Sequence, residues 1–291
     1  MHTTNGIVIA CCILLIIQHK ILSTKNCSES TSTPKISSTP TDFEFTNDFS
    51  ETDTENYICC YRDPNHKETN VGRPFYVDHN SIEVYHKYMK TPGITHEDKL
   101  KHPFPQPVTA FSSNHYLEHA KQIGTAMRVF PNQKIVVYDL GMTDEQINYV
   151  KNNESLIYRQ LDFSKYPEHV LTLTTYAWKT LIWAEMLQDY QAITWFDTSV
   201  NWLVTPDMFK KVVSNYIINK RSSILFYVHE TGHSTAWATN ARMWSYFPSN
   251  MTQMSTATSN SMKQANGVVL YNTEDFKQNI MKWAIQNGLN I

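Results

Sequence analysis

The residues with the clearest chemical potential stand at the end of an apolar run. Residues 192–200 read AITWFDTSV, which predicts a strand that buries Trp195 and Phe196 and presents Asp197 at its carboxyl end. Open α/β sheets bind ligands in the crevice outside the carboxyl ends of their strands, so this carboxylate would face a ligand. The same letters fit a strand that ends in an Asx-type turn, in which Asp197 bonds its own backbone.

Two further charged residues stand at a strand end or near a helix start. Asp139 follows the apolar run KIVVY, and Lys179 lies on an apolar helix predicted at 176–187, shortly before the strand that ends in Asp197. Titratable groups in such positions are candidates for a ligand site. The alternatives are a turn acid before Gly141 for Asp139, and a solvated helix residue for Lys179.

A rival pattern is the sequence HETGH at 229–233, which fits the zinc-protease motif H-E-x-x-H. That chemistry needs both imidazoles on one face of a helix, with the glutamate as the base. Here a strand predicted at 223–228 runs directly into His229, and Gly232 falls within the motif. We therefore expect a loop at the mouth of the sheet, and a zinc metalloprotease is kept as a separate alternative.

Strand and helix patterns alternate from residue 108 onward. The predicted strands cover 108–111, 134–138, 156–161, 192–200, 223–228 and 267–271. Helix signals lie between them, including a capping box at Thr143 and Gln146 and a capping Thr273 before the last helix. Strands that are apolar throughout and alternate with helices predict the α/β class, with a mainly parallel central sheet flanked by helices.

The first third of the chain has a different composition. Residues 7–17 (IVIACCILLII) are uncharged and apolar, so residues 1–22 are predicted to be a signal-anchor or a signal peptide. Residues 23–56 are dense in Ser, Thr and Pro, which predicts a disordered stalk. Residues 57–107 are interpreted as an adaptor segment, and 108–291 as the main domain.

This layout predicts a single-pass type II membrane protein whose bulk lies in the lumen of the Golgi or the endoplasmic reticulum. A secreted protein is the alternative. N-glycosylation sequons at Asn26, Asn153 and Asn250 agree with export. The net charge of -2 gives no reason to expect nucleic acid as a partner.

Six blocks of the sequence carry a resemblance to a known family. They are VVYDLGM, FSKYP, YAWKTLIWAEML, ITWFDTSVNW, TGHSTAWATNARMWSYFP and NGVVLYNTEDF, and they span roughly residues 104–283. In this order they resemble an uncharacterised animal family, a family of unknown function placed in the GT-A superfamily of nucleotide-diphospho-sugar transferases. The resemblance implies a GT-A-like fold.

The resemblance also implies roles for individual residues. Thr109 and Phe111 match a first-strand position whose backbone meets the nucleobase. Asp139 matches an acid near the nucleoside, and Lys179 matches a base that reaches the phosphates or the sugar of the donor. Asn266 matches the start of a late strand beneath the transferred sugar.

The metal-binding position departs from the family pattern. Asp197-Thr198-Ser199 stands where related enzymes have Asp-x-Asp, whose carboxylates hold a Mn²⁺ or Mg²⁺ ion against the leaving diphosphate. Ser199 supplies a hydroxyl where a carboxylate is expected, which is a much poorer ligand for a hard dication. Three outcomes stay open: metal held by Asp197 and waters, metal-independent transfer with Lys179 or an arginine supplying the charge, or a domain that does not catalyse.

The function implied by the resemblance is that of a glycosyltransferase. It would transfer a sugar from a nucleotide-diphosphate sugar to a lumenal glycan or glycoprotein acceptor, with the N-terminal segment in the membrane. The alternative of a different class is a non-catalytic GT-A-like binding module. No catalytic base is assigned.

Overall fold

The computed structural model describes residues 57–59, 75–77, 79–102, 104–227, 230–234, 261–263 and 265–289. The predicted signal-anchor and stalk, residues 1–22 and 23–56, lie outside the described residues. No helix in the described part of the chain is both long and apolar enough to cross a bilayer. The boundaries of the adaptor and the main domain stay predictions.

The described strands and helices follow in chain order. The strands are β1 (Tyr57–Cys59), β2 (Phe75–Val77), β3 (Gln106–Phe111), β4 (Ile135–Asp139), β5 (Leu156–Gln160), β6 (Ala192–Phe196), β7 (Ile224–Phe226), β8 (Glu230–Ser234), β9 (Ser261–Lys263) and β10 (Gly267–Tyr271). The helices are α1 (His79–Lys90), α2 (Tyr116–Val129), α3 (Asp144–Asn152), α4 (Ala177–Tyr190), α5 (Pro206–Val213), α6 (Glu274–Phe276) and α7 (Lys282–Gly288). Short π-helical stretches extend α5 and join α6 to α7.

The central sheet has six strands in the order β5-β4-β3-β6-β10-β7. Strands β5, β4, β3 and β6 are parallel, whereas β10 runs antiparallel to both of its neighbours. The prediction of a mainly parallel sheet is confirmed. Strands β4 and β5 are added to the sheet on one side of β3. Strand β6 lies on the other side of β3, and β10 and β7 continue the sheet beyond it. The strand order therefore reverses between β3 and β6, which makes this the topological switch point of the sheet.

Each face of the sheet carries its own hydrophobic core. Side chains alternate along the strands, so Val108 and Trp195 face one core while Phe111 and Phe196 face the other. Helices α1, α4 and α7 cover the first face, and α2, α3 and α5 cover the second. The flanking helices predicted from the sequence are confirmed on both faces.

Helix α4 lies deepest among the described helices. Every residue from Ala177 to Ala184 is buried, including Lys179 and Thr180. The helix is apolar around its circumference because it packs between the sheet and the outer helices α1 and α7. The apolar helix predicted at 176–187 is confirmed, and it places a lysine in the interior close to the sheet.

Strand β6 is shorter than the sequence predicted. It ends at Phe196, and the N–H of Val200 donates to the carbonyl oxygen of Asp197 at 3.0 Å. This bond closes a β-turn over Asp197–Val200, with Thr198 and Ser199 in its central positions. The turn ends the strand because its two central residues leave the extended conformation.

The HETGH stretch does not have the geometry of a zinc protease. Glu230–Ser234 forms strand β8, which pairs antiparallel with β9. A strand rises about 3.3 Å per residue, so positions four residues apart are separated by about 13 Å and cannot bind one zinc ion together as they do on one turn of helix. The expected loop is corrected to a strand over 230–234, while His229 lies outside the described residues.

Candidate functional site

The carboxyl ends of β3, β4 and β6 lie at one edge of the sheet, together with the amino end of β10. Gly267 of β10 pairs with Phe196 of β6, which places Asn266 beside Asp197. The main-chain N–H of Asp197 donates to the carbonyl oxygen of Asn266 at 2.8 Å. Two of the predicted site residues, Asp197 and Asn266, are therefore together at the switch point.

Lys179 joins this pair from helix α4. Its Nζ atom lies 2.8 Å from Oδ2 of Asp197, and the lysine side chain is 5% exposed while that of the aspartate is 25% exposed. The alternative of a solvated helix residue is therefore wrong for Lys179. The ion pair therefore has a buried cation and a partly exposed anion.

Neighbouring groups hold the Asp197 side chain and backbone in place. The indole N–H of Trp195 donates to Oδ1 at 2.6 Å, so both carboxylate oxygens accept hydrogen bonds from nitrogen donors. The side-chain amide of Gln122 on α2 donates to the main-chain carbonyl of Asp197. The carboxylate is thus oriented from the strand beneath it, and its backbone is tied to the helix that follows β3.

Aromatic rings surround the Lys179 ammonium. Its Nζ atom lies 5.3 Å from the ring centroid of Tyr176, 5.8 Å from that of Trp178 and 5.5 Å from that of Trp195. Rings at this distance attract a cation through their quadrupole, and the attraction grows as water is excluded. The face of an aromatic ring is a weaker hydrogen-bond acceptor than an oxygen atom. The Asp197 carboxylate is therefore the strongest partner of the Lys179 ammonium within the described residues.

Asp139 is held in a local turn. Its Oδ1 accepts the N–H groups of Gly141 at 2.8 Å and Met142 at 2.7 Å, and its Oδ2 accepts the Tyr158 hydroxyl at 2.8 Å. Burial and this hydrogen bond raise the pKa of Tyr158 to about 12. Strand β3 lies between Asp139 and Asp197, a separation of about 10 Å at ~4.8 Å per strand. The structure shows the turn role that was the alternative, and a nucleoside contact by Asp139 stays a prediction.

The first-strand residues are buried at the same edge. Thr109 is fully buried, and its hydroxyl has no hydrogen-bond partner among the described residues. Phe111 stacks on the ring of His119 with centroids 3.5 Å apart, and its carbonyl oxygen accepts the N–H of Leu140 at 3.1 Å. Their predicted contacts to a nucleobase remain predictions.

The oxygen ligands around Asp197 do not suit a divalent cation. Ca²⁺ and Mg²⁺ take six or more oxygen ligands, whereas the Asp197 carboxylate can offer at most two, and each of its oxygens already accepts one N–H donor. Ser199 is exposed in the turn that follows. Across the described ranges no group of three or more His, Cys, Asp or Glu residues could hold a metal ion. The described residues therefore do not fit the Mn²⁺ or Mg²⁺ site expected at Asp197.

Sequence reasoning missed three members of this site. Trp195 lies two residues before Asp197, so the period of a strand places both on one face, and this signal was available from the sequence. Gln122 and Tyr176 carry no such signal. The contact of Gln122 spans 75 residues of chain, and Tyr176 precedes a helix whose orientation is fixed by packing.

Two solved structures resemble the fold. They are the galactosyltransferase LgtC in complex with donor and acceptor sugar analogues, and an active-site mutant of LgtC. Both have 11% sequence identity, with 64% of this chain and 70% of the other chain covered, at TM-scores of 0.37 and 0.36. Similarity this low does not bear on function.

Sequence comparison adds one match. No curated protein matches the chain. A family model described as a protein of unknown function, DUF1647, matches residues 47–184. The matched range includes β3, β4, β5 and Lys179, and it ends before Asp197. Over just under half of its length, this chain is therefore similar to the DUF1647 family.

Proposed function

We propose that this protein is a glycosyltransferase that binds a nucleotide-diphosphate sugar in the crevice between the carboxyl ends of β3 and β6. The acceptor would be a glycan or a glycoprotein. The observation that carries the proposal is the pair of Lys179 and Asp197, 2.8 Å apart at the topological switch point. This is the position where open α/β sheets bind their ligands.

The hydrogen bonding of Lys179 supports a role in anion binding. An ammonium group has three N–H donors, and within the described residues its hydrogen-bond acceptor is the Asp197 carboxylate. Buried donors in folded proteins are nearly always satisfied. Two N–H donors therefore have no acceptor among the described residues, and in this proposal they bind oxygens of a diphosphate.

In the proposed reaction the Lys179 ammonium stabilises the leaving group. When the sugar leaves, negative charge develops on the nucleoside diphosphate, and a positive charge fixed in advance stabilises it. In this proposal Lys179 supplies that charge, and Asp197 together with Trp195 holds the ammonium in position. The proposal thus adopts metal-independent transfer among the three outcomes that the sequence left open.

Ligand-induced thermal stabilisation of the full-length chain tests this function. The ligands are UDP, GDP, UDP-glucose, UDP-galactose, UDP-N-acetylglucosamine and GDP-mannose, each with Mn²⁺ or with EDTA. We expect at least one nucleotide sugar to raise Tm in EDTA, because Lys179 replaces the dication. A Tm rise that requires Mn²⁺ would show that the metal is needed. The absence of any response would favour a domain that does not bind nucleotides.

A buried lysine elsewhere in the fold provides a matched control. Lys277 is also almost fully buried, but it donates to the carbonyl oxygens of Met89 and Thr91 and to Glu274. It follows the carboxyl end of β10, which lies at the opposite edge of the sheet from the crevice. We expect Lys179→Met to abolish the nucleotide response and Lys277→Met to retain it, after correction for the lower Tm of each variant.

Transfer itself needs a separate measurement. Release of UDP or GDP in the presence of a mixed glycan and glycoprotein acceptor library would show turnover. Binding of a nucleotide sugar without release would favour the non-catalytic binding module.

The proposal includes a lumenal location on a membrane anchor, as the sequence predicts for residues 1–22. The sequon at Asn153 lies at the end of α3, where the residue is only partly buried. We expect a mass shift on deglycosylation of the protein expressed in secretory cells. An unmodified chain found in the cytosol would contradict this location.

A further inference from the structure

Tyr176 has an unusual backbone conformation at the start of helix α4. Its φ of 57° and ψ of 13° lie in the left-handed region, which bulky non-glycine residues rarely adopt. Its N–H donates to the carbonyl of Leu173 at 3.2 Å, and its own carbonyl accepts the N–H of Lys179 at 3.1 Å. The residue thus forms the sharp connection between a 3₁₀ turn and α4.

This conformation places the Tyr176 ring beside the Lys179 ammonium. Of the three rings around Nζ, those of Trp178 and Trp195 are buried, whereas Tyr176 is only partly buried. Burial and the nearby Asp197 carboxylate both raise the pKa of Tyr176, so its hydroxyl stays neutral near pH 7. Tyr176 is therefore the most accessible of the three rings around the Lys179 ammonium.

We infer that the ring of Tyr176 is the surface against which the transferred sugar of the donor packs. The inference rests on the proposed function, since it takes Lys179 as the contact to the diphosphate. A ring whose centroid is 5.3 Å from that ammonium lies within reach of the group bonded to the diphosphate. The sugar presents C–H groups on one of its faces, and the electron-rich face of an aromatic ring complements them.

The backbone strain distinguishes this role from a purely structural one. Asparagine tolerates the left-handed region far better than tyrosine does. If Tyr176 served only to start the helix, Tyr176→Asn would retain nucleotide-sugar binding. Strained residues that persist at ligand sites are instead retained for binding, and relieving the strain then costs function.

The experiment compares dissociation constants for UDP and for the UDP-sugar that stabilises the wild-type chain most. The variants of the full-length protein are Tyr176→Asn, Tyr176→Phe and Arg221→Asn. Arg221 is the matched control because it also has a left-handed φ of 54°, is exposed, and precedes β7 at the opposite edge of the sheet. If GDP-mannose is the ligand that responds, GDP replaces UDP.

We expect Tyr176→Asn to weaken binding of the nucleotide sugar about tenfold, a typical effect of one aromatic contact. Binding of UDP should stay within twofold. The dissociation constants are the readout, because Tm gains from the relieved strain and loses the packing of the ring on the core. Tyr176→Phe should match the wild type for both ligands because the ring is retained. Arg221→Asn relieves the same kind of backbone strain at the opposite edge and should change neither dissociation constant.

Two results would overturn the inference while leaving the proposed function in place. One is equal binding of the nucleotide sugar by Tyr176→Asn and wild type. The other is an equal loss for UDP and UDP-sugar, which would place the ring against the nucleotide. A Lys179→Met variant that binds both ligands normally would overturn the proposed function itself. A wild-type chain that binds none of the ligands would overturn both.

Discussion

The side-chain amide of Gln122 donates a hydrogen bond to the main-chain carbonyl of Asp197. Gln122 lies on α2, which follows β3, and Asp197 follows β6. The bond therefore crosses the point at which the strand order reverses. Since the Asp197 carboxylate anchors Lys179, a helix on one face of the sheet is connected through two residues to a cation on the other.

The first prediction concerns this connection. Gln122→Met removes the donor and keeps a similar side-chain volume in a buried site. We expect a loss of about 1 kcal/mol in the free energy of unfolding, the net value of a typical hydrogen bond. We also expect weaker nucleotide binding, because the turn at Asp197 loses one of its restraints. Urea unfolding and calorimetric titration measure the two effects.

Gln133 offers a control for the Gln122 variant. Its side-chain amide donates to the carbonyl oxygen of Phe104 at 2.9 Å, away from the crevice. Gln133→Met should lose a similar free energy of unfolding and bind nucleotides as the wild type does. Equal binding by both variants would mean that Gln122 supports the fold alone.

The second prediction concerns the asymmetry of the ion pair. Asp197→Asn leaves a 5% exposed ammonium without its counter-ion, whereas Lys179→Met leaves a carboxylate that is 25% exposed and still bonded to Trp195. Breaking a buried pair costs about 3–5 kcal/mol when the remaining charge is buried. We expect Asp197→Asn to approach that range and Lys179→Met to cost roughly half as much.

The double variant completes this cycle. Lys179→Met combined with Asp197→Asn has neither charge, so it should be more stable than Asp197→Asn alone. Chemical denaturation of the four proteins gives the coupling free energy. Asp189→Asn, which breaks the more exposed pair with Arg159, should cost less than about 1 kcal/mol. Equal small losses for every single variant would show that solvent screens the Lys179 pair as well.

Much of the fold could be predicted from local patterns. The capping box at Thr143 and Gln146 and the cap at Thr273 are confirmed by their hydrogen bonds. The antiparallel direction of β10 could not be predicted, because the direction of a strand depends on the connection that precedes it. An apolar run such as that of β10 fits a parallel and an antiparallel strand equally well.

The site was only partly predictable for a related reason. Asp197 could be assigned to a strand end from its neighbours. The observed turn is closed by its main-chain carbonyl, whereas its carboxylate oxygens accept from Lys179 and Trp195, so the Asx-type turn of the alternative is not what the structure shows. The contact with Lys179 joins residues 18 apart on different elements. The pattern of apolar and polar residues does not predict this contact, because the contact depends on how α4 packs against β6.

The third prediction concerns acid stability and arises from His119. This histidine is fully buried on α2 and stacks on Phe111, and neither ring nitrogen has a hydrogen-bond partner in the described part of the chain. Burial lowers its pKa to about 3, and the neighbouring Gln122 side chain opposes this shift without forming a hydrogen bond of good geometry. In the unfolded chain the pKa is about 6.5.

The sign of the effect follows from these two values. As pH falls below about 6.5 the unfolded chain binds a proton that the folded chain does not, so the folded state loses stability until pH reaches about 3. The loss is about 1.4 kcal/mol for each pH unit well inside this window.

His119→Phe keeps a ring against Phe111 and removes the titrating group, so its free energy of unfolding should fall less between pH 6.5 and 4.5. Urea unfolding at several pH values measures the slopes, and identical slopes for His119→Phe and wild type would show that this buried ring does not govern acid stability.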